Sequence, residues 1–411
     1  MLKKLLQHKE NYNQEKIEFL SFTSFLLGFS GALLTYIVSS YFKEVLNTDN
    51  VGIFFLLSYV IFLIALLNLH KLINLWGKVK VFYIFFFIRT ISLLFLIFLP
   101  PSPQALVFLV IYIITEVMGW VNLDTLLESF SADNMSGRIR GLHLTVMNTG
   151  ILIAPFFATR VLEQFDYKGL FFAVFVVHFL VFSITLMGFR GINHTFHKKE
   201  TVLALLKRAW QRKNIIRIYY ISFILEFFYA IMIIFTPLYL LGLGFSWIQI
   251  GTIFSIMLVP FVLIQYPIGI LADKETGEKE LIALSLFIMG FSTLAFYYIK
   301  STDIFILGAI LFMTRVGASL IEILRDSYFY KRIDSRDIDL IDFFRTSKSL
   351  AYILAAGVSS ILLLKLPIDF LFFFLAVVIF SGLYPTFKLK DNQSEKEIRI
   401  GKMKIKITKS F

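Results

Sequence analysis

Twelve times along this 411-residue chain, about twenty apolar residues run together between breaks of charge, proline or glycine. A helix that crosses the hydrocarbon core of a bilayer needs about 20 such residues, and there only helices and closed barrels satisfy their own backbone groups. The runs predict an all-α membrane protein with spans 1 to 12 at 17–42, 50–69, 81–100, 103–130, 141–163, 167–189, 214–242, 247–271, 280–299, 302–330, 341–364 and 367–388. Composition agrees: 58% of residues are hydrophobic and 17% charged, against roughly half and a quarter in soluble domains. No cysteine is present, which removes disulfides, thiolate metal sites and cysteine nucleophiles. The start, "MLKKLLQHKENYNQEK", is charged and lacks the short apolar core of a cleaved signal peptide.

Charge sets the expected orientation, because short loops rich in Lys and Arg stay cytoplasmic. Lys3, Lys4, Lys9 and Lys16 precede span 1. Arg190, Lys198, Lys199, Lys207, Arg208, Arg212 and Lys213 fill the one long connection, and the tail from Lys388 to Lys409 is basic. The opposite turns carry little, for example Lys43 beside Glu44 and Asp49, or Lys365 alone. Both termini are therefore expected inside the plasma (inner) membrane of a prokaryote, the short loops suggesting the source. The net charge of +12 then reflects topology and attraction to anionic lipid rather than nucleic-acid binding.

The long connection divides the chain into residues 1–188, a first six-helix bundle; 189–213, a central cytoplasmic loop; 214–390, a second bundle; and 391–411, a basic tail. Laid over itself by 202 positions, the chain matches Asp124 with Asp326, Ile151 with Ile353, Leu152 with Leu354 and Ala154 with Ala356. Two parallel repeats about an axis along the membrane normal would give this order. Within the central loop, "KETVLALLKRAWQRKN" spaces Val202, Leu205, Leu206 and Ala209 as a basic amphipathic helix lying on the inner surface.

Between spans 8 and 9 the apolar run stops at "GILADKETGEKE". This stretch resembles the loop motif of the major facilitator superfamily of secondary transporters. It places Gly269 for close helix approach, Asp273 and Lys274 for a conformational latch, and Gly277 for a tight turn. The first-half counterpart, "NLHKLINLWGKVK", keeps Gly77, Lys78 and Lys80 but has no Asp. Span 5, "GLHLTVMNTGILIAPFFAT", resembles the small-residue pattern of family exporters at Gly141, Gly150 and Pro155, with Ala154, Ala158 and Thr159 beside them. The resemblance implies alternating access, a central cavity lined by spans 1, 4, 7 and 10, and export by proton exchange.

A charge at mid-bilayer costs roughly 2.5–3.5 kcal/mol on insertion scales and usually faces a cavity or a partner. Glu116, Glu226 and Arg315 sit mid-span on spans 4, 7 and 10. Glu322 lies seven residues from Arg315, on one face, as a partner for it. Tyr112 and Trp120 share the face of Glu116 and predict an aromatic wall beside it. Desolvation brings such a carboxylate into the range where it can exchange a proton. Asp124, Arg138, Arg140, Arg325, Asp326 and Arg345 cluster at the inner ends as an expected gate of ion pairs. Arg89 and His178, on peripheral spans, read as structural.

No histidine spacing fits a metal and no phosphate loop is present, so neither metal, nor cofactor, nor direct ATP use is expected. The reading is a monomeric transporter whose partners are a small-molecule substrate, protons and membrane lipids. Its first expectation is proton-coupled export of a small amphipathic or cationic compound. Its second is uptake of a sugar, peptide or organic anion with Arg315 as anion ligand, and its third a lipid-handling membrane protein.

Overall fold

The computed structural model describes residues 14–128, 136–188, 202–272, 277–333 and 338–390, whose regular elements are helices throughout. In chain order these are α1 (Gln14–Thr35), α2 (Val38–Leu46), α3 (Gly52–Trp76), α4 (Lys78–Phe98), α5 (Pro103–Glu128), α6 (Ser136–Gly188), α7 (Val202–Gln211) and α8 (Lys213–Gly242). The second half continues with α9 (Trp247–Leu263), α10 (Gln265–Leu271), α11 (Lys279–Tyr298), α12 (Ile304–Tyr330), α13 (Ile338–Leu362), α14 (Phe370–Ser381) and α15 (Leu383–Phe387).

Ten stretches among the described residues are long and apolar enough to cross a bilayer. One of them, Thr145–Leu186, has 42 residues, about twice the length of a single crossing, and contains the whole turn between spans 5 and 6. That turn is one residue, Asp166, at φ 57 and ψ −170 within α6. Helix α13 is not among the ten, because Arg345, Lys348 and five Ser or Thr residues dilute its apolar run. The side chains that face outward, such as Phe98 at 77% and Phe305 at 83% exposed, would be an aggregation surface in water and are at home against lipid.

Several span boundaries depart from the sequence expectation, each for a local reason. Span 1 breaks at Tyr36 and resumes as α2 until Asn47, whose left-handed backbone (φ 52) ends it. Span 2 continues to Trp76, well past residue 69, because Asn68, Lys71 and their neighbours extend the helix beyond its apolar part. Only Gly77, at φ 83, stops it. The equivalent turn of the second half is made by Gly277 at φ 72, 200 residues on; a left-handed residue there costs a glycine nothing. Span 8 is broken at Ile264 between Pro260 and Pro267. The ring nitrogen of Pro267 cannot donate to the carbonyl four residues back, so the helix kinks.

Helix contacts recur in matched pairs: α4 on α5 as α11 on α12, α3 on α5 as α9 on α12, α4 on α6 as α11 on α14, and α1 on α6 as α8 on α13. Between the sets, α3 lies on α13 and α6 on α9. The amphipathic α7 packs its fully buried Ala209 against α8 and α13 and leaves Trp210 76% exposed.

Candidate functional site

Glu226, on α8, meets Arg325 of α12 with Nη2 donating to Oε1 at 3.0 Å. The same guanidinium donates to Ser222 Oγ at 2.7 Å, and its Nε lies 3.4 Å from Asp326. Ser222 in turn bonds Ser347 of α13 at 2.9 Å. Three helices are thus tied through one buried cation. Breaking such a pair strands a charge, so it acts as a fastening whose single loss is costly. From the sequence, Glu226 falls with the coupling carboxylates and Arg325 with the gate; the structure joins the two.

Glu322 is held by Tyr229 Oη and by Gln265 Nε2, each at 3.2 Å from its Oε2. The expected Arg315–Glu322 pair is corrected here. Seven residues put two side chains on one face but about 10 Å apart along the axis, and the neighbours on α8 and α10 are nearer partners. Arg315 instead lies with its Cζ 4.9 Å from the Phe228 ring centre and 5.9 Å from that of Tyr229, 1% exposed.

In the other half, Glu116 of α5 rests on α1, its Cδ 3.4 Å from where a side chain on Gly31 would begin. Trp120, one turn on, lies beside the carboxylate, and Arg89 and Lys348 act on it electrostatically. Lys348 comes from α13, across the contact between α3 and α13, and is exposed. Trp120 therefore stands where the sequence put it. Tyr112 is fully buried beside His178, ring centres 6.3 Å apart and nearly parallel, and lies near enough to Glu116 to interact with it electrostatically.

The two sets of helices close on each other at the end that carries the turns at 47–51 and 243–246. Asn50 Nδ2 donates to the Ser360 carbonyl at 3.0 Å. A side chain on Gly52 would meet the Ala356 carbonyl at 2.7 Å, and one on Gly251 the Pro155 carbonyl at 2.7 Å. Deeper in, Tyr59 stacks on Tyr352 (4.2 Å) and Tyr36 sits on Phe254 (4.5 Å). This aromatic closure was missed in the sequence, where single tyrosines on apolar helices carry no sign of which helix they will face.

The small residues of span 5 serve two neighbours. Gly150 lets the Phe25 carbonyl of α1 approach to 2.5 Å of its missing side chain, while Pro155 and Thr159 receive Gly251 of α9. Gly269 lies against Ile323, and Gly277 N–H donates to the Ala272 carbonyl at 3.0 Å. Beside them Glu278, unmarked in the sequence among its charged neighbours, is fully buried and takes Lys331 at 2.5 Å and Ser327 at 2.8 Å. Asp273 and Lys274 of the expected latch fall outside the described residues. So do the side chains of Asp124, Arg138 and Arg140 of the expected gate, and those of neighbouring positions including Gly141. Arg345 is half-buried on α13. Among the described residues no cluster of metal-ligating side chains occurs.

Residues 20–336 match the Major Facilitator Superfamily model. Among solved structures the chain is similar to a mutant form of the nucleoside transporter NupG (TM-score 0.69, 16% identity, 91% of this chain and 99% of that one). The structure titled NupG without mention of a mutation matches with TM-score 0.68 at 16% identity, over 92% of this chain and 100% of that one. No curated protein matches the sequence.

Proposed function

The chain belongs to the Major Facilitator Superfamily, and from that premise we propose that it moves a small amphipathic solute by alternating access, with Glu116 as the proton-carrying group. The observation that carries this reading is that both halves act on one carboxylate. Glu116 packs on α1 beside Trp120 within its own half, while the charge of Lys348 reaches it from the other. When the halves rock, the charge facing Glu116 changes, and a proton can take the place of the withdrawn lysine. The six-helix halves 1–188 and 214–390 are the moving bodies in this scheme, with both termini cytoplasmic.

One charge crossing 100 mV carries about 2.3 kcal/mol, so a single proton per cycle sustains a solute gradient of roughly 50-fold. The span 5 pattern behind the export expectation is accounted for by packing against α1 and α9, and nothing else supports export. A second reading is favoured by the similarity over nine-tenths of the chain to a nucleoside transporter. Aromatic faces beside Gln265, Glu322 and Trp120 suit a solute with a flat ring and several hydroxyls.

The test is proton movement in energised inverted vesicles, followed with a pH-sensitive dye, as lipophilic cations, nucleosides and organic anions are added in turn. One class is expected to move protons through the parent protein and not through Glu116→Gln. Equal responses from the two proteins would remove Glu116 from the mechanism, and silence towards every class would remove proton coupling.

A further inference from the structure

Arg315 is the largest fully buried side chain described, and none of its three guanidinium nitrogens has a hydrogen-bond partner. It sits midway along α12, near the centre of the span. The carboxylates around the site face other groups: Glu226 bonds Arg325, Glu322 bonds Tyr229 and Gln265, and Glu116 lies beside Arg89, Lys348 and Trp120. What surrounds Arg315 is aromatic: Phe228 and Tyr229 on α8, and Tyr36 at the break in span 1. The Tyr36 hydroxyl is close enough to interact but makes no hydrogen bond to the guanidinium. A buried cation without a partner is among the most destabilising groups a fold can hold. Arg325, ten residues on, shows that this protein fastens a buried guanidinium when structure is the purpose.

We propose that Arg315 binds the transported solute through a planar pair of hydrogen-bond acceptors, a carboxylate or the carbonyl edge of a heteroaromatic ring. The guanidinium fork matches two in-plane acceptors, and the rings of Phe228, Tyr229 and Tyr36 form a cage for an attached aromatic body. Tyr36 also closes on Phe254 of the opposite half, so parting of that contact would uncover the guanidinium. This inference rests on the transporter reading above but not on proton coupling.

The experiment is thermal unfolding of the purified full-length protein in detergent with benzoate, uridine or a lipophilic cation, for the parent, Arg315→Met, Arg315→Lys and Lys300→Ala. Without solute, Arg315→Met is expected to unfold at a higher temperature than the parent, because an unpaired buried charge gives way to apolar packing. Benzoate or uridine is expected to raise the parent's transition, and which of them does so separates carboxylate from carbonyl edge. Apparent affinity should fall roughly 10- to 100-fold in Arg315→Met, as the loss of a charge-assisted hydrogen bond predicts, fall less in Arg315→Lys, and persist in Lys300→Ala. A destabilised Arg315→Met that still responds to solute would make Arg315 a structural tie and overturn the proposal. So would a parent that responds only to the cation, or to none of the three. Because solute binding is read here and proton movement in the vesicles, failure of one reading leaves the other standing or falling by itself.

Discussion

The two halves treat their buried charges in opposite ways. In the second, Glu226, Arg325, Glu278 and Lys331 are joined in short pairs across helices. In the first, Arg89, Tyr112 and His178 lie together in the interior, with Arg89 Nε, the Tyr112 hydroxyl and both His178 nitrogens lacking partners, and Glu116 lies beside them. Paired charges resist movement relative to one another, whereas loosely held ones respond to a change of field. The contrast assigns fastening to the second half and responsiveness to the first, with Arg315 the exception on the fastened side.

The sharpest way to break this contrast is to remove one partner of the main pair. Arg325→Ala or Glu226→Ala should destabilise by roughly 3–5 kcal/mol through the stranded charge, and the Glu226→Gln/Arg325→Gln double variant should recover part of it. Arg89→Met in the first half should stay within about 1 kcal/mol of the parent. Thermal unfolding in detergent measures all of them; an equal loss in Arg89→Met would erase the distinction.

Smaller effects are expected where the turns between the second and third spans of each half are tied down. Glu278→Gln weakens the bonds to Lys331 and Ser327 and should cost roughly 1–3 kcal/mol. The matching tie in the first half is neutral, Asn122 Nδ2 to the Lys78 carbonyl at 2.8 Å, and Asn122→Ala should cost about 1 kcal/mol. The difference, read from the same unfolding curves, asks whether charge or hydrogen bonding does the fastening.

At the seam, Gly52→Val sets a side chain against the Ala356 carbonyl and should hold the halves apart there without unfolding them. The chain has no cysteine, so a Tyr59→Cys reporter can be labelled alone. Its modification by a water-soluble thiol reagent should quicken several-fold when Gly52→Val is added, and an unchanged rate would show that the closure does not depend on this contact.

The smallest effect belongs to the pair at the surface, Lys300 with Asp369 at 2.6 Å. The hydrogen bond and charge of Asp369 raise the pKa of Lys300. A raised base contributes below its ordinary value near 10.4, and the contribution fades as the pH climbs through the raised one. Lys300→Ala should therefore unfold slightly earlier than the parent at neutral pH, by less than any variant above, since the lysine end of the pair is exposed and screened. The two curves should converge as the solution becomes strongly alkaline.

Much of the architecture was legible because hydrocarbon imposes a length and an apolar composition on each span, and most runs could simply be read off. What escaped depended on partners. Span 2 outran its apolar stretch because helix propagation does not stop where hydropathy does, only where Gly77 turns the chain. Arg315 and Glu322 share a face by spacing, yet Tyr229 and Gln265 on other helices decided the outcome. Glu116 and Trp120 were readable as neighbours because both lie on one helix within a single turn. Tyr59 and Tyr352, on helices from opposite halves of the chain, offered no such clue.

Finally, spans 5 and 6 are joined by one residue, Asp166, while span 8 is divided at Ile264. A one-residue joint leaves no slack for sliding, so that hairpin behaves as a stiff lever pressing on Gly251 through Pro155. Opposite it, the short α10 can swing about Ile264 while α9 stays gripped, and Gln265, the first residue after the joint, carries the bond to Glu322. Were the halves to rock, leverage on one side and an elbow on the other would make the stroke lopsided, with Glu322 drawn along by the elbow.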